Sequence, residues 1–419
     1  MQTGSLLACR NCDTLHAAVP VEPGGMCTCV RCGYVLFRRS RFSLNFWSAL
    51  TLSALVVFAI ANFFPLVRLT LLGKTLDATF IGALWLTWQQ GHHILSVMTG
   101  LVGFWFPLTQ LCFLFWALGC IRKGRLPHDF SYAMRIYHKV IPWSMVPVLM
   151  LGLIVAIVKF ASLAALEPRP GIWAFGMLTF MLTALSRLDG QRLWGYAEEA
   201  GLAPIVRHMD AAPEHLAACD VCGHLQAVDD DAARTSCERC ASSIHKRKPD
   251  MRTRTWALVV AAAVVYVPAN VLPMMEIRST LGKSAHTILG GVVELWQLGS
   301  WDLAVIVFVA SVVVPITKLI ALTVLLLGRR WRGEIVQRQR TRLYELIEFI
   351  GQWSMLDVFV VILMTAMANF PGVSQIIAGP AAASFGMVVV LTMLAAMSYD
   401  PRTGWDQERP ATIGTTGNG

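Results

Sequence analysis

GQWSMLDVFVVIL occupies residues 351–363. Most of this stretch suits the interior of a lipid bilayer, and Asp357 does not. A carboxylate at that depth is tolerated only where it faces protein or a polar cavity. Seven of these residues, QWSMLDV (352–358), have a counterpart in PWSMVPV (142–148). The stretch therefore poses two questions together: whether the chain crosses a membrane, and whether it is built twice.

Composition answers the first. The 419 residues are 55% hydrophobic and 15% charged, with mean hydropathy +0.56. A membrane helix takes about 20 mostly apolar residues to cross about 30 Å of hydrocarbon. Eight such stretches are predicted, near 44–66, 93–120, 140–163, 172–187, 256–275, 302–327, 347–369 and 376–398. The net charge of +9 is distributed by loop. Cations gather at Arg38, Arg39, Arg41, at Arg122, Lys123, Arg125, at Lys246, Arg247, Lys248, Arg252, Arg254, and at Arg329, Arg330, Arg332, Arg338, Arg340, Arg342. The alternate loops hold few, such as Lys74, Arg169, Arg278 and Lys283. This alternation is the positive-inside pattern, which places both termini and the central linker in the cytoplasm and argues against nucleic acid as a partner. The first 40 residues are polar and cysteine-rich and do not read as a signal peptide.

The second question has a clear answer. ANFFPLVRLTLLGK (61–74) matches ANVLPMMEIRSTLGK (269–283), TFIGALWLTWQQG (79–91) matches TILGGVVELWQLG (287–299), FPLTQL (106–111) matches VPITKL (314–319), and AFGM (174–177) matches SFGM (384–387). The expected fold is an all-α polytopic membrane protein with two tandem four-helix transmembrane units, 41–200 and 251–406. Small β-rich cytoplasmic heads at 1–40 and 210–250 precede them, and a disordered tail, 407–419, follows. Both units point the same way, so they are parallel repeats. Between the first two helices of each, about 25 residues suggest an extended or hairpin segment outside the membrane, followed by interfacial Trp85 and Trp88, or Trp296. A docking surface for a partner is the alternative reading.

Each head carries two CxxC pairs: Cys9, Cys12, Cys29 and Cys32, then Cys219, Cys222, Cys237 and Cys240. Sixteen and fourteen residues separate the pairs. Four thiolates so spaced form a tetrahedral cage that suits Zn²⁺, and a closed four-thiolate site is structural. Iron also accepts four thiolates, and disulfides are disfavoured in a reducing cytosol. Cys27 is read as a spare thiol, and Cys112 and Cys120 as buried small hydrophobes.

The second unit gathers polar groups at membrane depth. Ser354 lies three residues before Asp357, on the same helical face. In the sixth helix, Lys318, Pro315 and Ser311 share a face, and Pro315, lacking an N–H, releases the Ser311 carbonyl. Thr392 of the last helix is positioned to complete the cluster. The expectation is that Lys318 and Asp357 face each other, as a static salt bridge or as a switch. The first unit has Gln110 and Pro147 at those positions, keeps Ser144, and has its own deep cation in Lys159, where the second has Asn369. His92 and His93 lack a matched acid or nucleophile and read as interfacial, so no enzyme is expected.

The four-cysteine heads, the NxxP ending of the first helix, WSMLDVF and the closing SYDPRTGWD (398–406) together resemble the paraquat-inducible protein A family of Gram-negative inner-membrane proteins. The resemblance covers essentially the whole chain. It departs at Pro147 and at SRLDGQRLWGY (186–196), which stands in place of the closing motif in the first half. It implies lipid traffic between inner and outer membranes, with phospholipid as cargo and a periplasmic MCE-domain protein, a homo-hexameric tube, as partner. No GxxxxGK[ST] phosphate loop is present. A proton- or ion-coupled small-solute transporter using the Lys/Asp pair, and a redox protein with iron in its heads, are the competing readings.

Overall fold

The computed structural model describes residues 6–17, 21–22, 24–39, 41–71, 74–161, 165–203, 216–228, 235–279, 282–297, 299, 301–328, 333–367, 374–406 and 417–418. In the first half the helices are α1 (Leu44–Phe63), α2 (Phe80–Gln89), α3 (His93–Gly100), α4 (Phe106–Arg122), α5 (Phe130–Val140), α6 (Val146–Ala161), α7 (Pro170–Leu185) and α8 (Gly190–Glu199). In the second they are α9 (Met251–Val271), α10 (Ile288–Gln297), α11 (Trp301–Phe308), α12 (Val314–Leu327), α13 (Glu334–Trp353), α14 (Leu356–Met367) and α15 (Pro380–Ser398). Among the described residues, seven helical stretches are long and apolar enough to cross a membrane. The fourth expected span corresponds to α7 and α8, which meet at 62°. At 1.5 Å per residue, the 16 residues of α7 cover only about 24 Å, so it passes as a span only together with its bent continuation.

In each half the first helix packs along the last, α1 on α7 and α9 on α15. Buried alanines bring the second pair close: Ala262 and Ala269 on one side, Ala381, Ala382, Ala395 and Ala396 on the other. The NxxP motif ends the first helix. Pro65 and Pro273 then lie against the start of the last helix, where Gly171 N donates to Pro65 O at 3.0 Å and Gly379 N donates to Met274 O at 2.8 Å. A Cβ at Gly171 would sit 2.6 Å from the Pro65 carbonyl oxygen, so these positions have room only for glycine.

The expected hairpins form, Val67–Leu71 with Lys74–Ala78 and Met275–Ser279 with Gly282–His286. Each gains a third strand from between the last two spans, Ala165–Pro168 and Ser374–Ala378, paired antiparallel to the first. These sheets lie at the end of the bundle opposite the cysteine-rich heads.

Two local irregularities recur. A five-residue π-helical turn precedes each FP or VP motif, at Leu101–Trp105 and Val309–Val313. Pro107 and Pro315 follow in the first turn of α4 and α12. Proline removes a ladder donor, and a π-turn is one way a helix absorbs the mismatch. At the WSM motif each long helix breaks. A 3₁₀ turn, Ile141–Trp143, separates α5 from α6, and a turn at Ser354–Met355 separates α13 from α14.

Three expectations change. Asp357 is not mid-helix; it is the second residue of α14. Cys112 is exposed and Cys120 half-buried, not core residues; a small apolar thiol on the outer face of α4 is as comfortable against acyl chains as inside protein. The tail does not run wholly free. Gly417–Asn418 pairs with Met26–Thr28, while 407–416 lie outside the described residues. So do the Lys159 side chain and Asn369.

Candidate functional site

Each head is a ribbon of two short hairpins, Leu6–Ala8 with Leu15–Ala17 and Met26–Thr28 with Val35–Arg38, then Leu216–Ala218 with Leu225–Ala227 and Thr235–Ser236 with Ser243–Ile244. Four knuckles share one geometry. The N–H of the first cysteine bonds a carbonyl five residues on, and its own carbonyl accepts from the residue four on. That residue has positive φ: Asp13, Gly33, Gly223 and Ala241. The turn folds both thiols of each CxxC toward one point. All eight predicted cysteines are buried, and each set of four sulfurs lies within 4.8 Å. Individual separations of 3.4–3.6 Å approach the roughly 3.8 Å edge of a tetrahedron with 2.3 Å metal–sulfur bonds. Donors surround the sulfurs: His16 Nε2 lies 3.2 Å from Cys29 Sγ, and Ser242 Oγ lies 3.0 Å from Cys219 Sγ. Each group can hold a metal ion. Cys27 is buried but belongs to neither.

The ribbons dock crosswise. The first ribbon sits on the second half of the chain. Asn11 Nδ2 donates to Glu345 Oε1 at 2.7 Å, and Arg338 Nε donates to Arg31 O at 2.6 Å. Trp405, 1% exposed, packs among the four cysteines, and its indole N–H donates to Thr341 Oγ1. The Arg31 guanidinium lies 4.8 Å from the Trp405 ring centre. The second ribbon sits on the first half. Ser131 Oγ donates to Arg239 O, and Arg135 donates to Ala241 O. Arg239 pairs with Glu198 and lies 4.9 Å over the Trp194 ring. Arg31 and Arg239 hold the same place in their CxxC pairs, so Trp194 of LWGY does what Trp405 of GWD does. The motif that looked absent from the first half is present in altered spelling.

Behind Trp405 the closing segment is tied down. Arg402 clasps Asp400 through two hydrogen bonds of 2.9 and 3.0 Å. Asp400 also accepts from the backbone N–H of Lys248 and Arg402. Burial alone would raise the Asp400 carboxyl, but Arg402 and these amides hold it below the usual carboxylate range. Lys248 Nζ donates to Met397 O and Tyr399 O at the end of α15, and burial lowers its ammonium below the usual lysine range.

Two of the residues expected to form the intramembrane cluster, Ser354 and Asp357, lie just before and at the start of α14. Every residue of this helix, Leu356–Met367, is buried, as expected of a helix apolar on all sides. Its neighbours are α6, α2, α3 and α15, so it belongs to both halves. Gly152 of α6 lets Phe359 approach, with only 3.0 Å from an added Cβ to Phe359 Cβ. Asp357, 7% exposed, opens the helix. Carboxylates are favoured at helix N-termini by about 0.3–1 kcal/mol, and by up to about 2 kcal/mol when partly buried. That offsets part of the roughly 2.5–3.5 kcal/mol insertion penalty. Pro147 holds the same place at the start of α6, where a residue without an N–H is tolerated. Asp and Pro are two solutions to one backbone break.

The Lys318–Asp357 pairing expected from sequence is not among the ion pairs of the described residues. Lys318, 1% exposed, instead donates from Nζ to Thr392 Oγ1 at 2.8 Å. Gly351 of α13 lies beside it, where an added Cβ would stand at an ordinary contact distance of 3.8 Å from Nζ. The Ser354 hydroxyl is buried without a hydrogen-bond partner among the described residues. Ser311, fully buried in the π-turn, donates to Val307 O at 2.7 Å. Sequence reasoning missed the break before α14. The signal was available: WSM lies between a charged helix and an apolar one, and its copy precedes a proline.

Two four-cysteine ribbons that can each hold a metal ion and a bundle of apolar spans define a multi-pass membrane protein. The profile of the family described as paraquat-inducible protein A matches residues 44–198 and again 252–409, and the chain belongs to that family. Intermembrane transport protein PqiA of Escherichia coli K12 is 27% identical, over 96% of each chain. Lipophilic envelope-spanning tunnel protein A of the same strain is 30% identical over 96% of this chain and 92% of its own. A probable intermembrane transport protein of Haemophilus influenzae is 28% identical over 96% and 95%. No solved structure gives a significant match.

Proposed function

We propose that the chain is the inner-membrane component of an intermembrane phospholipid transport system. It works with a periplasmic MCE-domain protein, a homo-hexameric tube, to load or receive lipid. In this reading it comprises two tandem four-helix units with the ribbons and both termini in the cytoplasm, so the sheets face the periplasm. Zn²⁺ in the two four-cysteine groups is structural. A closed tetrathiolate site leaves no position for substrate, and small ribbons draw much of their folding energy from the metal. The relatives' names concern transport, not catalysis.

One observation carries the reading: a buried ammonium, Lys318, held by a threonine and, among the described residues, by no carboxylate. It lies beside Gly351, on the turn of helix before the break that opens α14. Broken helices whose ends point into the bundle are where transporters bind cargo. An ammonium there matches a lipid phosphate, with Ser354, Ser311 and Thr392 as polar neighbours and Asp357 as counter-charge. The test is photocrosslinking of lipid to the second half in cells, with lipid transfer between membranes as the activity. Lys318→Gln and Asp357→Asn should abolish transfer while the protein stays folded and keeps its metal. Undiminished transfer in both variants would end the proposal, as would proton uptake tied to a soluble solute with no lipid moved.

A further inference from the structure

The crossed docking encloses a second site, on the ribbon side and apart from the cluster around Lys318. A cleft of about 1360 Å³ lies between the two ribbons and the first half of the chain. Its floor is formed by helix ends, the start of α1 with Leu44, the end of α4 with Arg122, and Arg187 just past α7. The cleft therefore opens where spans leave the membrane. Its volume exceeds the roughly 300–1,000 Å³ usual for a drug-sized ligand.

Its charge is one-sided. Seven arginines line it, against Asp189, Glu198 and Glu199. Asp189 caps Arg192 N at the start of α8 and faces Arg10 at 3.9 Å, and Glu198 is taken by Arg239. Arg38, Arg122, Arg187 and Arg192 have no carboxylate partner among the described residues. They come from four separate elements: the first ribbon, α4, the α7–α8 turn and α8. A positive-inside bias requires cations near the membrane surface, but it does not require them to converge on one cavity. At the cleft Phe42, half exposed, stacks on the exposed Phe46 at 4.4 Å. Leu44 and Ile121 add apolar surface to the floor. Guanidinium donors above an apolar, membrane-level floor match an amphiphile with a phosphate at one end.

We propose that this cleft binds the phosphate of an anionic glycerophospholipid from the ribbon-side leaflet, with the acyl chains leaving past Phe42 and Phe46. Forked guanidiniums suit phosphate oxygens, and the lipid would bridge the first ribbon to α8. The site stands whether or not the protein transports lipid.

The experiment uses the full chain in nanodiscs of phosphatidylglycerol and phosphatidylcholine. The phosphatidylglycerol retained per protein after delipidating washes is counted by native mass spectrometry. The variant Arg122→Gln/Arg187→Gln removes two exposed cations of the cleft. The variant Arg252→Gln/Arg254→Gln removes two exposed cations outside it. Retention should fall roughly thirtyfold in the first, as expected for the loss of two cations that contact the lipid, and stay near that of the parent in the second. Unchanged metal content and thermal unfolding show that both are folded. If the first variant does not fold, single Arg187→Gln is measured the same way and should show a smaller fall. Equal loss in both variants would reduce the effect to general surface charge and overturn the proposal. So would no loss in either, or complete displacement by millimolar glycerol phosphate, which would make the ligand a soluble phosphate.

Discussion

Replacing Lys318 by methionine separates function from stability. The side chain is 1% exposed and, among the described residues, donates once, to Thr392. Thr392 also donates to Val389 O at 3.0 Å, so its hydroxyl keeps a partner when Lys318 is gone. Burying an ammonium carries an effective penalty of several kcal/mol, which one neutral acceptor offsets by about 1.5–3 kcal/mol. Methionine has nearly the same shape and leaves no charge to desolvate. Lys318→Met should therefore be neutral or more stable by about 1–4 kcal/mol, the range seen when buried charges are replaced by apolar residues. Unfolding of the purified protein in nanodiscs, followed by tryptophan fluorescence, measures this. Lipid transfer measured on the same preparation should be lost. Destabilisation by about 3–5 kcal/mol would refute the reasoning, because that is the signature of leaving a buried partner uncompensated. It would mean that Lys318 holds a structural salt bridge.

Other consequences follow from the ribbon side. Trp405→Ala empties a site in the first ribbon's dock at about 3–5 kcal/mol, which is about a thousandfold more undocked ribbon. Maleimide labelling after mild chelation should rise at Cys9 and Cys29 but not at Cys219, and Trp194→Ala should do the reverse. Because the Asp400 carboxyl lies below its unfolded value, its contribution is present above about pH 4. It disappears as pH falls through the folded value, so docking of the first ribbon should be flat from pH 5 to 8 and loosen only in stronger acid. Asp400→Asn, which leaves the buried Arg402 only the more distant Asp220 carboxylate at 3.8 Å, should weaken docking at every pH. Gly379→Ala, whose Cβ would overlap the Pro273 carbonyl, should lower thermal stability by about 1–3 kcal/mol, with Gly171→Ala behaving alike.

Much of this was legible in the chain. The ligand cysteines were, because CxxC fixes its own knuckle geometry within a few residues. The spans were, because hydrocarbon thickness sets their length. The hairpins were, but not Ala165–Pro168 or Ser374–Ala378, whose partners lie about a hundred residues away and leave no local pattern. Apolar periodicity carried the seventh span straight through Ser354–Met355, since a two-residue break does not change mean hydropathy. The Lys318–Asp357 expectation rested on charge matching. Direction depends on rotation about two helix axes, and Lys318 is turned toward Thr392. The crossed docking was hidden because Trp194 and Trp405 sit in differently spelled motifs, and nothing in either says which ribbon it meets.

The crossing has a consequence for biosynthesis. The first ribbon leaves the ribosome well before the second half of the chain, yet its seat is built from α13 and residues 400–406. About 360 residues separate the ribbon from the end of that seat, roughly 20–70 s of synthesis at common elongation rates. Through that interval it waits beside a bundle whose second half is not yet made. The C-terminal ribbon, by contrast, emerges to find its own seat on α5 and α8 already made.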